Sequence, residues 1–92
     1  MTEIDVQCRP EDDGWQCQVA LDDDPQATYS VGVPRKDLAA LDPSAQEPTD
    51  LVRRSFAFLL ERESKDSILR SFDLMVIGRY FPEYETTISK SA

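Results

Sequence analysis

The sequence contains no histidine, and its three glycines stand apart from one another. Without histidine, the chain cannot use an imidazole as a general acid or base, as a metal ligand or as the partner of a cysteine nucleophile. Isolated glycines also exclude a glycine-rich phosphate-binding loop. Since no other catalytic spacing is present, the sequence predicts a protein that is not an enzyme and that needs no cofactor or metal ion.

Cysteine is scarce as well, and Cys8 and Cys17 are too few to form a disulfide scaffold. Period-2 patterns around them predict that they lie on the same face of adjacent strands. A register that sets them opposite each other brings their side chains close to contact, whereas the tightest turn sets Cys8 opposite Trp15 and Cys17 opposite Val6. We expect buried, reduced thiols, with a redox pair as the alternative.

Long apolar runs are missing too, since no stretch approaches the roughly 20 residues of a membrane span. Residues 1–13 are polar and acidic and do not resemble a secretion signal, in which basic residues precede an apolar stretch. We therefore expect a cytoplasmic protein without a membrane partner.

Basic residues are fewer than acidic ones, and the formal net charge of the 92 residues is −8. Most of the excess lies in residues 1–27, where eight acidic side chains face Arg9 alone. Such a surface repels nucleic acid and anionic membranes and favours a basic protein partner. The carboxylates of residues 12–13 and 22–24 lack the alternate-residue spacing of a calcium loop, so we interpret them as solvated turn residues.

Three segments, at about 3–9, 15–22 and 28–34, alternate apolar and polar residues. Their apolar positions are Ile4, Val6, Cys8, Trp15, Cys17, Val19, Leu21, Tyr29, Val31 and Val33. This period is typical of half-buried antiparallel strands, and the short spacers are rich in turn-forming residues. The pattern predicts a three-stranded antiparallel β-meander.

The rest of the chain has helical periodicity. We predict a short helix at about 35–41, a core helix at about 48–63 and a C-terminal helix at about 73–81. The core helix places Leu51, Val52, Phe56, Leu59 and Leu60 on one broad face. Residues 84–88 could form a fourth strand or an ordered tail. The predicted fold is a single α+β domain over residues 1–92, in β-β-β-α-α order, with two to three helices packed on one face of the meander.

The run from Arg79 to Tyr84 combines an arginine with three aromatic residues, which are types favoured at interface hot spots. Phe81 and one tyrosine could complete the core instead, because large aromatic side chains are mostly buried. Three side chains, Arg79, Tyr80 and Tyr84, are therefore the candidate interaction residues.

Residues 28–65 resemble ribbon-helix-helix regulators, a family of small dimeric DNA-binding proteins. The resemblance rests on Tyr29-Ser-Val-Gly-Val-Pro34, on Arg35-Lys-Asp-Leu-Ala-Ala-Leu41 and on the segment from Thr49 to Glu63. It implies that Thr28, Ser30 and Gly32 face DNA and that Thr49 faces a phosphate. The strand-strand-strand-helix order is also similar to the sheet domain of HicB-type antitoxins, and the segment from Ser67 to Glu85 resembles small bacterial proteins without an assigned activity.

These observations favour a non-catalytic protein-interaction or regulatory domain. Its expected partner is another protein, with a basic one favoured, or a second copy in a homodimer. The alternative is an antitoxin-like or ribbon-helix-helix regulator that binds DNA, although the charge makes nucleic acid an unfavourable partner. A redox-responsive or metal-responsive module is a third hypothesis.

Overall fold

The computed structural model describes residues 3–22 and 24–91. These residues form four β-strands and four α-helices. The elements are β1 (Ile4–Glu11), β2 (Gly14–Leu21), β3 (Thr28–Pro34), α1 (Arg35–Leu41), α2 (Thr49–Leu60), β4 (Ser71–Asp73), α3 (Ile77–Tyr80) and α4 (Tyr84–Ser91), with short 3₁₀ turns at Lys65–Ser67 and Leu74–Val76. The fold is α+β with one mixed sheet.

The first three strands form an antiparallel meander. A two-residue turn, Asp12-Asp13, joins β1 to β2, and the register that follows sets Glu11 opposite Gly14. The same register sets Cys8 opposite Cys17, and the two form a disulfide bond. The expectation of reduced thiols is therefore wrong for this structure, because the register brings the two sulfur atoms within bonding distance.

A fourth strand, β4, corrects the prediction of a three-stranded meander. It pairs in parallel with β3, with Val31 opposite Phe72, and gives the sheet order β1-β2-β3-β4. Three residues are too few to show a period of two, so alternation could not reveal this strand. Residues 84–88, the segment considered for a fourth strand, belong to helix α4.

The helices cover one face of the sheet, to which the apolar strand residues point. The buried strand residues on this face are Val6, Cys17, Val19, Leu21, Tyr29, Val31 and Val33. The apolar residues of the alternating segments thus form a two-layer core with the helices. Polar residues such as Gln7 and Gln18 lie on the uncovered face of the sheet.

Helix α2 is the centre of the core. Leu51, Val52, Phe56 and Leu59 are buried, as the helical periodicity predicted. Phe56 contacts the rings of Tyr29 and Phe72 at centroid distances of 5.4 and 6.1 Å. The longest helix, α2, has 12 residues, and no helix in the described part of the chain has the length and apolar character of a membrane span.

A charged network joins α2 to both neighbouring helices. Arg54 donates hydrogen bonds to the carboxylates of Asp42 and Asp50, each at 2.8 Å, and to the carbonyl oxygen of Ile88 at 3.1 Å. Asp42 is 7% exposed. Since breaking a buried pair leaves a charge without compensation, this network fixes the positions of the end of α1 and of α4 against α2.

The C-terminal third differs most from the predicted helix at 73–81. Asp73 ends strand β4, a 3₁₀ turn follows, and α3 spans only Ile77–Tyr80. Phe81 leaves helical geometry with φ −130° and ψ 90°, because the residue before a proline disfavours the α conformation. After this interruption α4 begins, and its first residue, Tyr84, is fully buried.

Candidate docking cleft

The three candidate interaction residues do not share one surface. Arg79 and Tyr80 lie exposed on α3, and the side chain of Tyr80 is 67% exposed. Tyr84 is 0% exposed. Only Arg79 and Tyr80 can therefore contact a partner without rearrangement of the core.

Tyr84 is a core residue whose hydroxyl is fully paired inside the protein. It lies 2.6 Å from Ser55 Oγ, which also bonds the carbonyl oxygen of Leu51 at 2.8 Å. The ring meets Phe58 edge-on at a centroid distance of 5.3 Å. Burial raises the pKa of the Tyr84 hydroxyl, although the Ser55 hydrogen bond and Arg54 oppose the shift. The sequence pattern does not predict this burial. Pro82 ends the predicted helix at about 73–81, and the pattern gives no sign of helix α4, which directs Tyr84 into the core.

A cleft of about 320 Å³ opens beside α3, between the end of α2, the segment before β4, and α3 itself. Its apolar lining consists of Leu59, Ile68, Leu69, Phe72, Val76, Ile77, Tyr80 and Phe81, and its other lining residues are Glu63 and Ser67. We call this the docking cleft. Its volume is near the lower end of the 300–1,000 Å³ typical of ligand pockets, so it suits a side chain better than a large ligand.

Two walls of the docking cleft carry unusual surface residues. Leu69 is 48% exposed and Tyr80 is 67% exposed, and they are the two exposed large hydrophobic side chains among the described residues. Singly exposed apolar residues are ordinary, but two around one concave apolar surface make this surface the candidate contact site. Tyr80 is one of the three candidate interaction residues of the sequence, whereas Leu69 is not among them. The available signal was its polar surroundings in Ser67-Ile-Leu-Arg-Ser71.

Most cations near the docking cleft already have partners in the protein. Arg62 lies over the Phe58 ring at 3.6 Å and bonds Glu83 at 3.3 Å. Lys65 pairs with Asp24 at 3.5 Å. Both cations are thus engaged in ion pairs within the protein, and a ligand could pair with either of them only by competing with an existing partner.

Arg70 is engaged in the same way. Its guanidinium donates to the carbonyl oxygen of Gln26 and lies 5.6 Å from the centre of the Tyr29 ring. By contrast, the side chains of Glu63 and Asp66 make no hydrogen bond or ion pair with the described residues. The surface around the docking cleft therefore presents free carboxylates.

A second, shallower cleft of about 240 Å³ lies at the β1–β2 turn. Glu11, Asp12, Asp13 and Asp73 contribute carboxylates to its lining, and the indole of Trp15 contributes an apolar wall. Arg35 already lies over that indole, 4.8 Å from the ring centre. Within residues 3–22 and 24–91, no three carboxylates or thiols are grouped closely enough to hold a metal ion.

The acidic loop after β2 is partly engaged in local structure. Asp22 adopts a left-handed conformation with φ 54°, and its carboxylate accepts a hydrogen bond from the backbone N–H of Glu3 at 2.7 Å. Asp24 accepts the backbone N–H of Gln26, which lowers the pKa of that carboxyl. Asp23 lies outside the described residues. These bonds give the loop a structural role in connecting β2 to β3 and to the start of β1.

No protein-family model matches this chain, and no curated protein or solved structure matches it. What the docking cleft offers chemically is apolar contact area beside one unpaired carboxylate.

Proposed function

We propose that this chain is a non-catalytic protein-interaction domain and that the docking cleft receives an apolar side chain of its partner. The observation that carries this proposal is the placement of Leu69 and Tyr80. Among the described residues, these are the two large hydrophobic side chains classed as exposed, and both border the same concave surface. Covering them removes apolar area from water, which is the main driving force for association.

The residue types around the docking cleft support the same function. Tyrosine and arginine are enriched among residues that dominate binding energy, and Tyr80 follows Arg79 in the exposed helix α3. Tyrosine loses little conformational entropy when it is fixed in an interface because it has only two side-chain torsions. Both residues can therefore contribute to binding at the edge of the apolar surface.

DNA binding in the ribbon-helix-helix mode has less support from the geometry. That mode pairs one strand of each subunit into a ribbon, whereas β3 is already flanked by β2 and β4. The carboxylate of Asp73 also stands over Gly32, so that a Cβ at Gly32 would overlap with its Oδ1. A negative group at this position opposes contact with phosphates.

The test is a comparison of partner capture by four immobilised proteins, the wild type and three variants, in an extract of the native host, with cross-linking and mass spectrometry. The cleft variant combines Arg79→Ala with Tyr80→Ala, and a second cleft variant is Leu69→Ser. The control combines Gln7→Ala with Arg9→Ala on the uncovered face of the sheet. All should keep their stability within about 1 kcal/mol, as exposed substitutions usually do.

We expect the wild type and the control to capture the same protein and the cleft variants to lose it. Sedimentation of the purified proteins tests the case in which the partner is a second copy. The proposal is wrong if both cleft variants fold and still retain every captured protein and the same oligomeric state.

A further inference from the structure

We propose that the segment entering the docking cleft is basic, with a bulky apolar side chain in the cleft and a neighbouring lysine or arginine paired with Glu63. This inference depends on the proposed function, since it specifies the chemistry of the partner at the same site. It rests on the charged side chains around the docking cleft and on which of them already have a partner within the protein.

Glu63 provides the carboxylate of the docking cleft. It lines the docking cleft together with Leu59 and Ile68, and its side chain is half-buried. The described residues provide its carboxylate with no hydrogen-bond donor and no cationic partner. A lysine or arginine of the binding partner would therefore pair with it without breaking an internal contact, so the site favours a positive charge next to the apolar anchor.

The internal contacts of neighbouring cations strengthen this preference. Arg62, Lys65 and Arg70 are held by Glu83, by Asp24 and by the Gln26 carbonyl, respectively. None of them is available to neutralise Glu63 without breaking an existing contact. Arg79 is exposed, but it does not line the docking cleft. Among the described residues that line the docking cleft, Glu63 is the one that carries a charge, and it has the same sign as the net charge of −8.

A basic apolar segment also fits the kinetics that such a charge distribution produces. An acidic surface accelerates encounter with a cationic partner, and the apolar contact then sets the lifetime of the complex. A half-exposed ion pair contributes about two- to five-fold in affinity, and filling an apolar pocket contributes more. Removal of the anchor should therefore weaken binding more than removal of the charge.

The experiment uses three synthetic heptapeptides with blocked ends and one isotope-labelled protein, followed by amide chemical shifts in NMR. The first peptide has Lys-Phe-Lys at its centre, the second Glu-Phe-Glu and the third Lys-Ala-Lys, with glycine and serine at the ends. We expect the first to shift the amides of residues 67–72 and 77–81, with at least three-fold tighter binding than the second and at least ten-fold tighter binding than the third.

Two variants of equal charge locate the interaction. Glu63→Gln should weaken binding of the Lys-Phe-Lys peptide two- to five-fold. Glu61→Gln serves as the matched control because it removes one charge two residues away, where the side chain is 77% exposed and outside the docking cleft. It should leave the affinity unchanged within error.

The outcomes separate this inference from the proposed function. If the Lys-Phe-Lys and Glu-Phe-Glu peptides bind the docking cleft equally well, or if both glutamate variants behave alike, the basic partner is wrong and the apolar site stands. Shifts confined to residues 11–13 would also overturn the inference, because they would indicate general attraction to the acidic turn. If no peptide shifts the docking cleft, the inference is overturned, and the capture experiment with Leu69→Ser decides on the proposed function.

Discussion

Reduction of the Cys8–Cys17 disulfide is expected to lower the free energy of unfolding by about 2.6 kcal/mol. The bond closes a loop over a sequence separation of 9 residues. In the chain-entropy treatment, a closed loop of this length restricts the unfolded chain by about 9 cal/mol/K, which gives about 2.6 kcal/mol at 25 °C. The effect therefore acts on the unfolded state and not on a contact of the folded sheet.

The folded sheet should survive reduction, because other pairs hold the same register. Val6 lies opposite Val19 and Pro10 lies opposite Trp15, on either side of the two cysteines. Cys17 is 0% exposed, and its thiol would remain packed as a small apolar side chain. A domain with 5–15 kcal/mol of stability tolerates a loss of about 2.6 kcal/mol and still folds.

The assay is urea unfolding of the oxidised protein and of protein kept in a phosphine reductant, followed by the fluorescence of Trp15. With a denaturant dependence of about 1–3 kcal/mol/M, the transition midpoint should fall by roughly 1–2.5 M on reduction. The double variant Cys8→Ala with Cys17→Ala is the control, and its midpoint should not respond to the reductant.

Equal midpoints for the oxidised and reduced proteins would refute the reasoning. So would the titration of two free thiols in protein that was purified in air and then unfolded. Glutathione and thioredoxin keep cytoplasmic thiols reduced, so a chain in a reducing compartment would function in the reduced form and with the lower stability.

Four further outcomes are expected from the core and from the charge. Tyr84→Phe should lower stability at neutral pH by about 1–2 kcal/mol, because it removes the buried hydroxyl bonded to Ser55, as measured by urea unfolding. Burial raises the pKa of Tyr84 above its usual value of about 10, so its contribution to the free energy of unfolding should be fully present below that pH and decline above it. Tyr84→Phe should flatten this decline in unfolding curves from pH 8 to 11.5. An unchanged slope of stability against pH contradicts the assignment. Phe56→Ala should destabilise by about 3–5 kcal/mol in the same assay, and a midpoint within error of the wild type would show that α2 is not the core helix. Fluorescence anisotropy with duplex DNA at physiological salt should show no binding tighter than about 10⁻⁶ M, and sequence-selective nanomolar binding would restore the DNA-binding alternative.

The elements that could be predicted from the sequence are those with a complete period. Strands β1 to β3 are seven or eight residues long, and in each of them apolar and polar residues alternate over at least five positions. The buried face of α2 follows from the spacing of Leu51, Val52, Phe56 and Leu59. Local patterns of this length carry enough information because burial of one face selects them.

What could not be predicted depends on contacts between distant parts of the chain. The parallel pairing of Phe72 with Val31 joins residues separated by 41 positions, and no local pattern encodes it. The pairing of Cys8 with Cys17 depended on where in the spacer the two-residue turn falls. A turn at Asp12-Asp13 sets the cysteines opposite each other, whereas the register with Cys8 opposite Trp15 needs the turn one residue earlier.

The candidate residues at and near the docking cleft include one that could be predicted from the sequence and two that could not. Tyr80 could be selected because its residue type and its neighbour Arg79 are typical of interfaces. Tyr84 has the same residue type and was assigned to the same surface, but the break at Phe81 and Pro82 and the start of α4 rotate it into the core. The position of Leu69 depends on the path from α2 to β4, which the sequence leaves undetermined.

The pairing of β4 with β3 also has a consequence for folding in a crowded solution. Until residues 71–73 pair with β3, this strand is the edge of the meander. Its outer backbone N–H and C=O groups can then pair with a strand of another chain. The 30 or more residues between the two strands must first form α1 and α2. We therefore expect β4, in spite of its three residues, to protect the nascent sheet from intermolecular strand addition, and a chain that stops before residue 71 to form aggregates rather than a smaller soluble domain.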